Sequence, residues 1–279
     1  MSGKLYLCGT PIGNLEDITY RVLSTLNSVD VIYAEDTRHS IRLLNHFNIS
    51  KPLHSYHEHN LESAGQEIVV KLQRGENIAL VTDAGMPGIS DPGEALVKLC
   101  IQNNLPFEVV PGVTAFSMAL VGSGLDTSRF VFEGFLSRDK RQKKALLEKI
   151  KYESRTLIFY ESPHRLKETL KIMKDVFGTR NIVIARELTK KYETFYRDTL
   201  EHLIEFFNEN EVRGEIVLMV EGSKESEPNA LAIDVNETVK DHVFRLIEEG
   251  LDKKEALKKV AIDRKMKKSD VYSAIIEED

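Results

Sequence analysis

The chain has 279 residues, 42% of them hydrophobic and 29% charged, which is ordinary for globular protein and long enough for two lobes with separate cores. A formal net charge of -6 excludes a uniformly basic nucleic-acid binder and leaves only local basic patches to meet phosphate. Cys8 and Cys100 lack the spacing of a disulfide framework or zinc site, no signal segment precedes the first strand, and no apolar run nears the ~18 residues of a membrane span, so a cytoplasmic location with no membrane partner is expected.

From residue 4 to about 124, short apolar strands alternate with amphipathic helices. Strands are predicted at 5–8, 31–34, 53–56, 78–81 and 107–110, with helices at 18–26 and 37–47 and a helical stretch in each remaining gap. That order builds a largely parallel sheet. After a hinge at 123–128, strands are predicted at 130–135, 156–160, 181–186, 193–196 and 215–220, with helices at 138–151 and 163–177. The strands at 181–186 and 193–196 leave no room for a helix between them, so antiparallel pairing and a mixed sheet are expected. The polar stretch 223–235 reads as a linker, followed by helices at 237–249, 253–262 and 269–276. Eight Lys or Arg fall between residues 253 and 268 against Glu255 and Asp263, so the tail is a basic helical module. The expected division is 1–124 and 125–222 as two α/β domains, 223–235 as linker and 236–279 as the module.

The chemistry gathers at strand ends. Residues 81–93 read V-T-D-A-G-M-P-G-I-S-D-P-G, a strand that stops at an Asp and then runs through three Gly and two Pro. Such a backbone permits close approach of a ligand beyond the carboxyl end of a strand. Gly9-Thr10-Pro11-Ile12-Gly13-Asn14 follows the first strand but is neither G-x-G-x-x-G nor a P-loop. Glu35-Asp36-Thr37-Arg38 follows the second, where the bland alternative is a helix cap paired with Arg38. Pro111-Gly112-Val113-Thr114-Ala115 opens a helix whose free amides suit a carboxylate. Tyr160-Glu161-Ser162-Pro163-His164-Arg165 and Arg186-Glu187-Leu188-Thr189-Lys190 repeat the pattern in the second half. Six such ends point to a cleft shared by two domains. His54, His57 and His59 lack cysteine partners or an H-E-x-x-H helix, so they are expected to form a polar wall and no metal is expected.

Together these motifs resemble the tetrapyrrole-methylase-fold S-adenosylmethionine methyltransferases across residues 4–222, and within them the branch that methylates a cytidine ribose 2′-hydroxyl in 16S rRNA of the small ribosomal subunit. The resemblance implies a two-domain α/β homodimer with S-adenosyl-L-methionine between the domains and S-adenosyl-L-homocysteine as product. By motif, Pro11, Asp83, Ala84, Gly85, Pro87, Ile89, Thr114 and Ala115 would line the cofactor, and Leu188, Gly214 and Glu215 would close over it. Met86, Val113-Thr114 and Ser137 depart from the family's common Thr, Pro-Ser and Pro.

Methyl transfer from a sulfonium needs alignment and a dry site more than covalent help. A ribose hydroxyl gains from a proton acceptor, for which Asp36, Glu187, Glu35 and Glu161 are candidates, with Arg38 steadying them. His57, His164, Arg165 and Arg186, and Lys253, Lys254, Lys258 and Lys259 of the tail, are the candidate RNA contacts; a solvated helix face or an interdomain ion-pair network would explain the same charges. Two other functions fit the fold: a methyltransferase acting on tetrapyrrole carbon, and a cofactor-binding ribosome assembly factor without catalysis.

Overall fold

In the N-terminal sheet, side chains of each strand point alternately to two faces, and because both faces are covered the central strands are apolar throughout. Strands β1 (Leu5–Cys8), β2 (Val31–Ala34), β3 (Leu53–Ser55), β4 (Ile78–Val81) and β5 (Phe107–Val110) pair in parallel in the order β3-β2-β4-β1-β5. Leu5, Leu7, Val31, Tyr33, Ile78 and Leu80 pack on one side with α3 (Leu61–Gln73) and α4 (Gly93–Gln102). Cys8, Ile32, Ala34, Ala79 and Val81 pack on the other with α1 (Tyr20–Ser28) and α2 (Thr37–His46). The helix predicted at 18–26 starts two residues later because Thr19 accepts the Val22 amide as its N-cap and Ile18 stays extended.

The second sheet contains β6 (Phe130–Phe135), β7 (Thr156–Glu161), β8 (Asn181–Arg186), β9 (Thr194–Thr199) and β10 (Ile216–Val220), ordered β6-β7-β10-β8-β9. β6 and β7 are parallel and the remaining pairs antiparallel, giving the mixed sheet expected. One face is covered by α6 (Lys140–Lys149), α7 (Pro163–Phe177) and α8 (Leu200–Glu209), through Leu147, Leu166, Leu170, Leu203 and Phe207. β9 runs past the predicted 193–196, and α8 follows it at once; Thr199 caps that helix by accepting the His202 amide. The other face receives α5 (Ala115–Ser123), whose Ala119 and Leu120 pack with Ile158, Ala185, Val217 and Met219.

The computed structural model describes residues 2–225, 237–264 and 266–276. The chain divides into two units, Met1–Ser223 and Lys224–Asp279. Residues 226–235 of the expected linker lie outside the described residues. In the second unit, α9 (Val239–Glu248), α10 (Lys253–Asp263) and α11 (Lys268–Ile276) close around Val243, Leu246, Leu257, Val260 and Val271.

The exits of β1 and β5 touch backbone to backbone. A Cβ on Gly9 would lie 2.7 Å from the Gly112 Cα and 2.6 Å from the Met86 sulfur. Gly9→Ala is therefore expected to push the two exits apart and cost about 1–3 kcal/mol, read as a lower denaturation midpoint with an unchanged slope in urea.

Candidate functional site

All five strands of the first sheet run the same way, so their carboxyl ends share one edge, and the loops leaving β1, β2, β4 and β5 meet there. Thr10 and Gly85 tie two of them together through reciprocal backbone bonds of 2.8 and 3.0 Å, with Gly85 at φ +81°. A cavity of about 410 Å³ opens between these loops and the second sheet. Its first wall is Ile12, Glu35, the loop from Asp83 to Met86, and Ile89 to Asp91. Thr114 and Ala115, at the amino end of α5, contribute amides that have no intrahelical acceptor. The second half supplies Phe135, Tyr160 to Pro163, Leu188 and Gly214 to Val217.

Most residues expected around a cofactor come together in this one cavity: Asp83, Ala84, Gly85, Ile89, Thr114, Ala115, Leu188, Gly214 and Glu215. Pro11 and Pro87 do not line it; both are buried in the loops, where a fixed φ shapes the backbone. Leu188 is held by left-handed backbone on either side, Glu187 at φ 53° and Thr189 at φ 66°. The Glu187 carboxylate secures that loop by accepting from Lys190 Nζ at 2.9 Å and from the Glu215 amide at 3.0 Å. A Cβ on Gly214, itself at φ +88°, would collide with that carboxylate at 2.2 Å. Only glycine fits there.

The candidate acid–base groups separate by environment. Asp36 caps α2, accepting from the Arg38 amide at 2.8 Å and from the Arg38 guanidinium, which holds its carboxyl far below the usual range. It lies outside the cavity lining and is a weak proton acceptor, the cap anticipated as the bland alternative; Arg38 is otherwise exposed. Burial pushes the Glu187 carboxyl up, but the bonds from Lys190 and the Glu215 amide outweigh it and leave the group below its ordinary value. Glu161 lines the cavity, yet its carboxylate is buried and shared among Thr169 Oγ1 at 2.6 Å, the Ser162 amide at 2.9 Å and Arg165 Nε at 3.2 Å. Glu35 lines the cavity without an ion pair among the described residues, and burial with the nearby Asp83 charge raises its carboxyl.

Asp91 escaped the sequence reading because S-D-P-G looks like turn chemistry. It lines the cavity, and burial together with Glu35 and Asp83 pushes it up to about 7. Its signal was present: a second Asp in the same loop as Asp83, just ahead of a helix start. Tyr160 was quoted within a motif but given no role. Its hydroxyl accepts the Phe116 amide at 3.3 Å and so braces the first turn of α5.

The candidate RNA contacts are spread widely. Arg165 is occupied structurally, donating to Leu136 O at 2.6 Å and Ser137 O at 3.1 Å besides pairing with Glu161, whereas His164 beside it is exposed. Among the described residues, neither the Nε of half-buried Arg186 at the end of β8 nor the buried Nδ1 of His57 has a hydrogen-bond partner. Lys253, Lys254, Lys258 and Lys259 are exposed along α10, with Asp263 at 3.7 Å from Lys259. Among the described residues, Asp36, His39 and Asp83 are the carboxylates and histidines close enough to share an ion, and the run from His54 to His59 contributes none of them.

A parallel sheet joined to a mixed sheet, with a ligand-sized cavity at the strand exits, defines the class: the chain belongs to the tetrapyrrole (corrin/porphyrin) methylases, whose family profile matches residues 4–204. Within that class its relatives carry the name ribosomal RNA small subunit methyltransferase I. The Bacillus subtilis (strain 168) protein of that name is 49% identical over 278 residues, which covers 98% of this chain and 94% of its own length. The Synechocystis sp. (strain PCC 6803) protein is 45% identical over 276 residues, covering 99% and 98%. The fold is also that of uroporphyrin-III C-methyl transferase from Thermus thermophilus, solved in complex with S-adenyl homocysteine, at a TM-score of 0.56 and 18% identity over 78% of this chain and 97% of that one.

Asp91 links the site to stability. Its folded pKa of about 7 lies above the unfolded value of 3.8, so between those pH values the folded state binds the extra proton and stability falls as pH rises, levelling off above 7. Asp91→Asn is expected to stabilise the cofactor-free protein at pH 8 by about 1–2 kcal/mol, after allowance for solvent screening, and by almost nothing at pH 4. Thermal unfolding of both proteins across that range checks the sign.

Proposed function

We infer that this chain is an S-adenosylmethionine-dependent rRNA methyltransferase that methylates the 2′-hydroxyl of a cytidine ribose in 16S rRNA of the small ribosomal subunit. The observation that carries this reading is identity of 49% along 98% of the chain, basic tail included, to a ribosomal RNA small subunit methyltransferase I. A tetrapyrrole substrate has no such support, since the uroporphyrin enzyme shares only the fold.

The cavity suits the cofactor. About 410 Å³ falls within the range of small-molecule sites. Glu35, Asp83 and Asp91 give one end negative charge, complementary to a sulfonium and an ammonium. Ile12, Leu188, Ile216 and Val217 give an apolar surface for an adenine ring, and the amino end of α5 suits a carboxylate. When bound, S-adenosylmethionine supplies the electrophilic methyl group and leaves as S-adenosyl-L-homocysteine. The protein's part is to align the ribose oxygen with it, exclude water and take up the hydroxyl proton. Among the sequence-predicted acceptors, Glu35 lines the cavity with no ion-pair partner among the described residues.

The exposed lysines of α10 support a role in holding RNA phosphate. Exposed Val109, Val121 and Tyr20 are apolar groups that a homodimer would cover. No described helix is long and apolar enough to cross a membrane; a ribosomal substrate supports a cytoplasmic location.

Unmethylated small subunits incubated with labelled S-adenosylmethionine should gain one ribose methyl on a cytidine, located by mass spectrometry of 16S rRNA; no transfer to RNA would overturn the reading. Glu35→Gln should lower the single-turnover rate at saturating S-adenosylmethionine by about 10²- to 10⁴-fold. Replacing Lys253, Lys254, Lys258 and Lys259 by Gln should flatten the salt dependence of subunit binding, whereas an unaltered slope would remove the tail from the RNA interface.

A further inference from the structure

β6 contains an irregularity that serves neither sheet pairing nor core packing. Phe132 pairs with Ile158 on β7, but Gly134 pairs with Phe159 and Phe135 with Tyr160, so Glu133 is an extra residue in the strand. In a regular strand, residues three apart face opposite sides of the sheet. The bulge cancels that alternation. Phe132 and Phe135 consequently both reach the Tyr160 ring, with centroids 4.9 and 5.4 Å from it. The device depends on Gly134, which sits at φ +64° and whose Cβ would lie 3.3 Å from Ser90 Oγ in the loop that walls the cavity. Bulges that re-aim a side chain recur beside active sites.

The side chain so re-aimed lines the cavity yet remains 59% exposed, unusual for a phenylalanine with a core close by. Its position is fixed. Tyr160 flanks the ring, Phe132 backs Tyr160, and Phe116 of α5 stacks on Phe132 at 4.8 Å. Arg165 grips the carbonyls of Leu136 and Ser137 just after it and is itself anchored to buried Glu161. Beyond Ser137 the chain enters α6, where Arg141, Lys144 and Lys140, the last paired with Glu168 at 2.9 Å, line a shallow groove together with Glu148. A rigid aromatic face at the mouth of a reaction cavity, followed by cationic side chains, is how proteins hold an unstacked nucleotide: the base lies on the ring and the phosphates on the cations.

Building on the rRNA reading, we propose that Phe135 is the stacking platform for the nucleobase of the nucleotide that is methylated. The bulge sets the ring, the ring holds the flipped base, and the attached ribose is thereby presented to the cavity. Phe135 borders the same cavity that would hold the cofactor, so cofactor affinity and subunit turnover are read separately.

The chain contains no tryptophan, so a single indole can report on the site. Phe135→Trp keeps a stacking face and is expected to lose emission when unmethylated small subunits are added in the presence of S-adenosyl-L-homocysteine. A control Ile101→Trp, at a position 60% exposed and outside the cavity lining, should not respond. Phe135→Leu should lower kcat/KM for subunits by about 5- to 100-fold, as expected for loss of one base–aromatic stack, with calorimetric cofactor affinity unchanged and activity restored in Phe135→Trp. Full activity of Phe135→Leu, weakened cofactor binding by it, or an indole at 135 that ignores bound subunits would each overturn the platform. If the parent protein methylates RNA in those same assays, only the platform fails; if it does not, the rRNA reading fails with it.

Discussion

The cavity exists because one helix of the first half is also part of the second. α5 leaves the parallel sheet and buries Ala119 and Leu120 against Ile158, Ala185, Val217 and Met219 of the mixed sheet. Its close fit extends to Gly122, where a Cβ would strike the Phe195 ring at 2.5 Å. Apolar burial of this kind is the main favourable term in folding, so the halves share a core as well as facing each other. The part of the cavity wall formed by Thr114 and Ala115 at one end of α5 is therefore fixed by packing along the rest of the helix.

On that frame the site sorts its carboxylates by what surrounds them. Asp36 and Glu187 stand next to guanidinium or ammonium groups and serve as cap and loop fastener. Glu161 organises a buried cluster in which Thr169 Oγ1 donates to it and in turn accepts from buried Lys143. Glu35, Asp83 and Asp91 line the cavity and concentrate negative charge there. Residue type alone does not separate these roles. The nearest cation and the degree of burial do.

The strands were legible because apolar residues alternate with Gly- and Pro-rich breaks, and the cavity was legible because so many strand ends carry small or charged residues. Nine of the eleven expected cofactor residues line one space, whereas Pro11 and Pro87 shape the loops behind it. Elsewhere local sequence was ambiguous. Asp36 followed by Thr37 and Arg38 suits both a base and a helix cap, and only the distances decide between them. α8 was missed because it begins directly after β9, with no break between the two periodicities. The bulge in β6 was missed although a glycine inside F-V-F-E-G-F is the kind of residue that marks one, and the pairing with β7 locates the extra residue.

The loop around Leu188 limits how this scaffold can be re-engineered. Two non-glycine residues held in the left-handed region cost on the order of 1–3 kcal/mol each. Glycine at position 189 would look like an easy gain in heat tolerance, since it would relieve a β-branched residue at φ 66°. It would also delete the hydroxyl that accepts the Asn14 amide at 3.0 Å, unfastening the turn that carries Ile12 from the one that carries Leu188. Robustness and a firmly joined cavity wall are thus opposed at a single side chain.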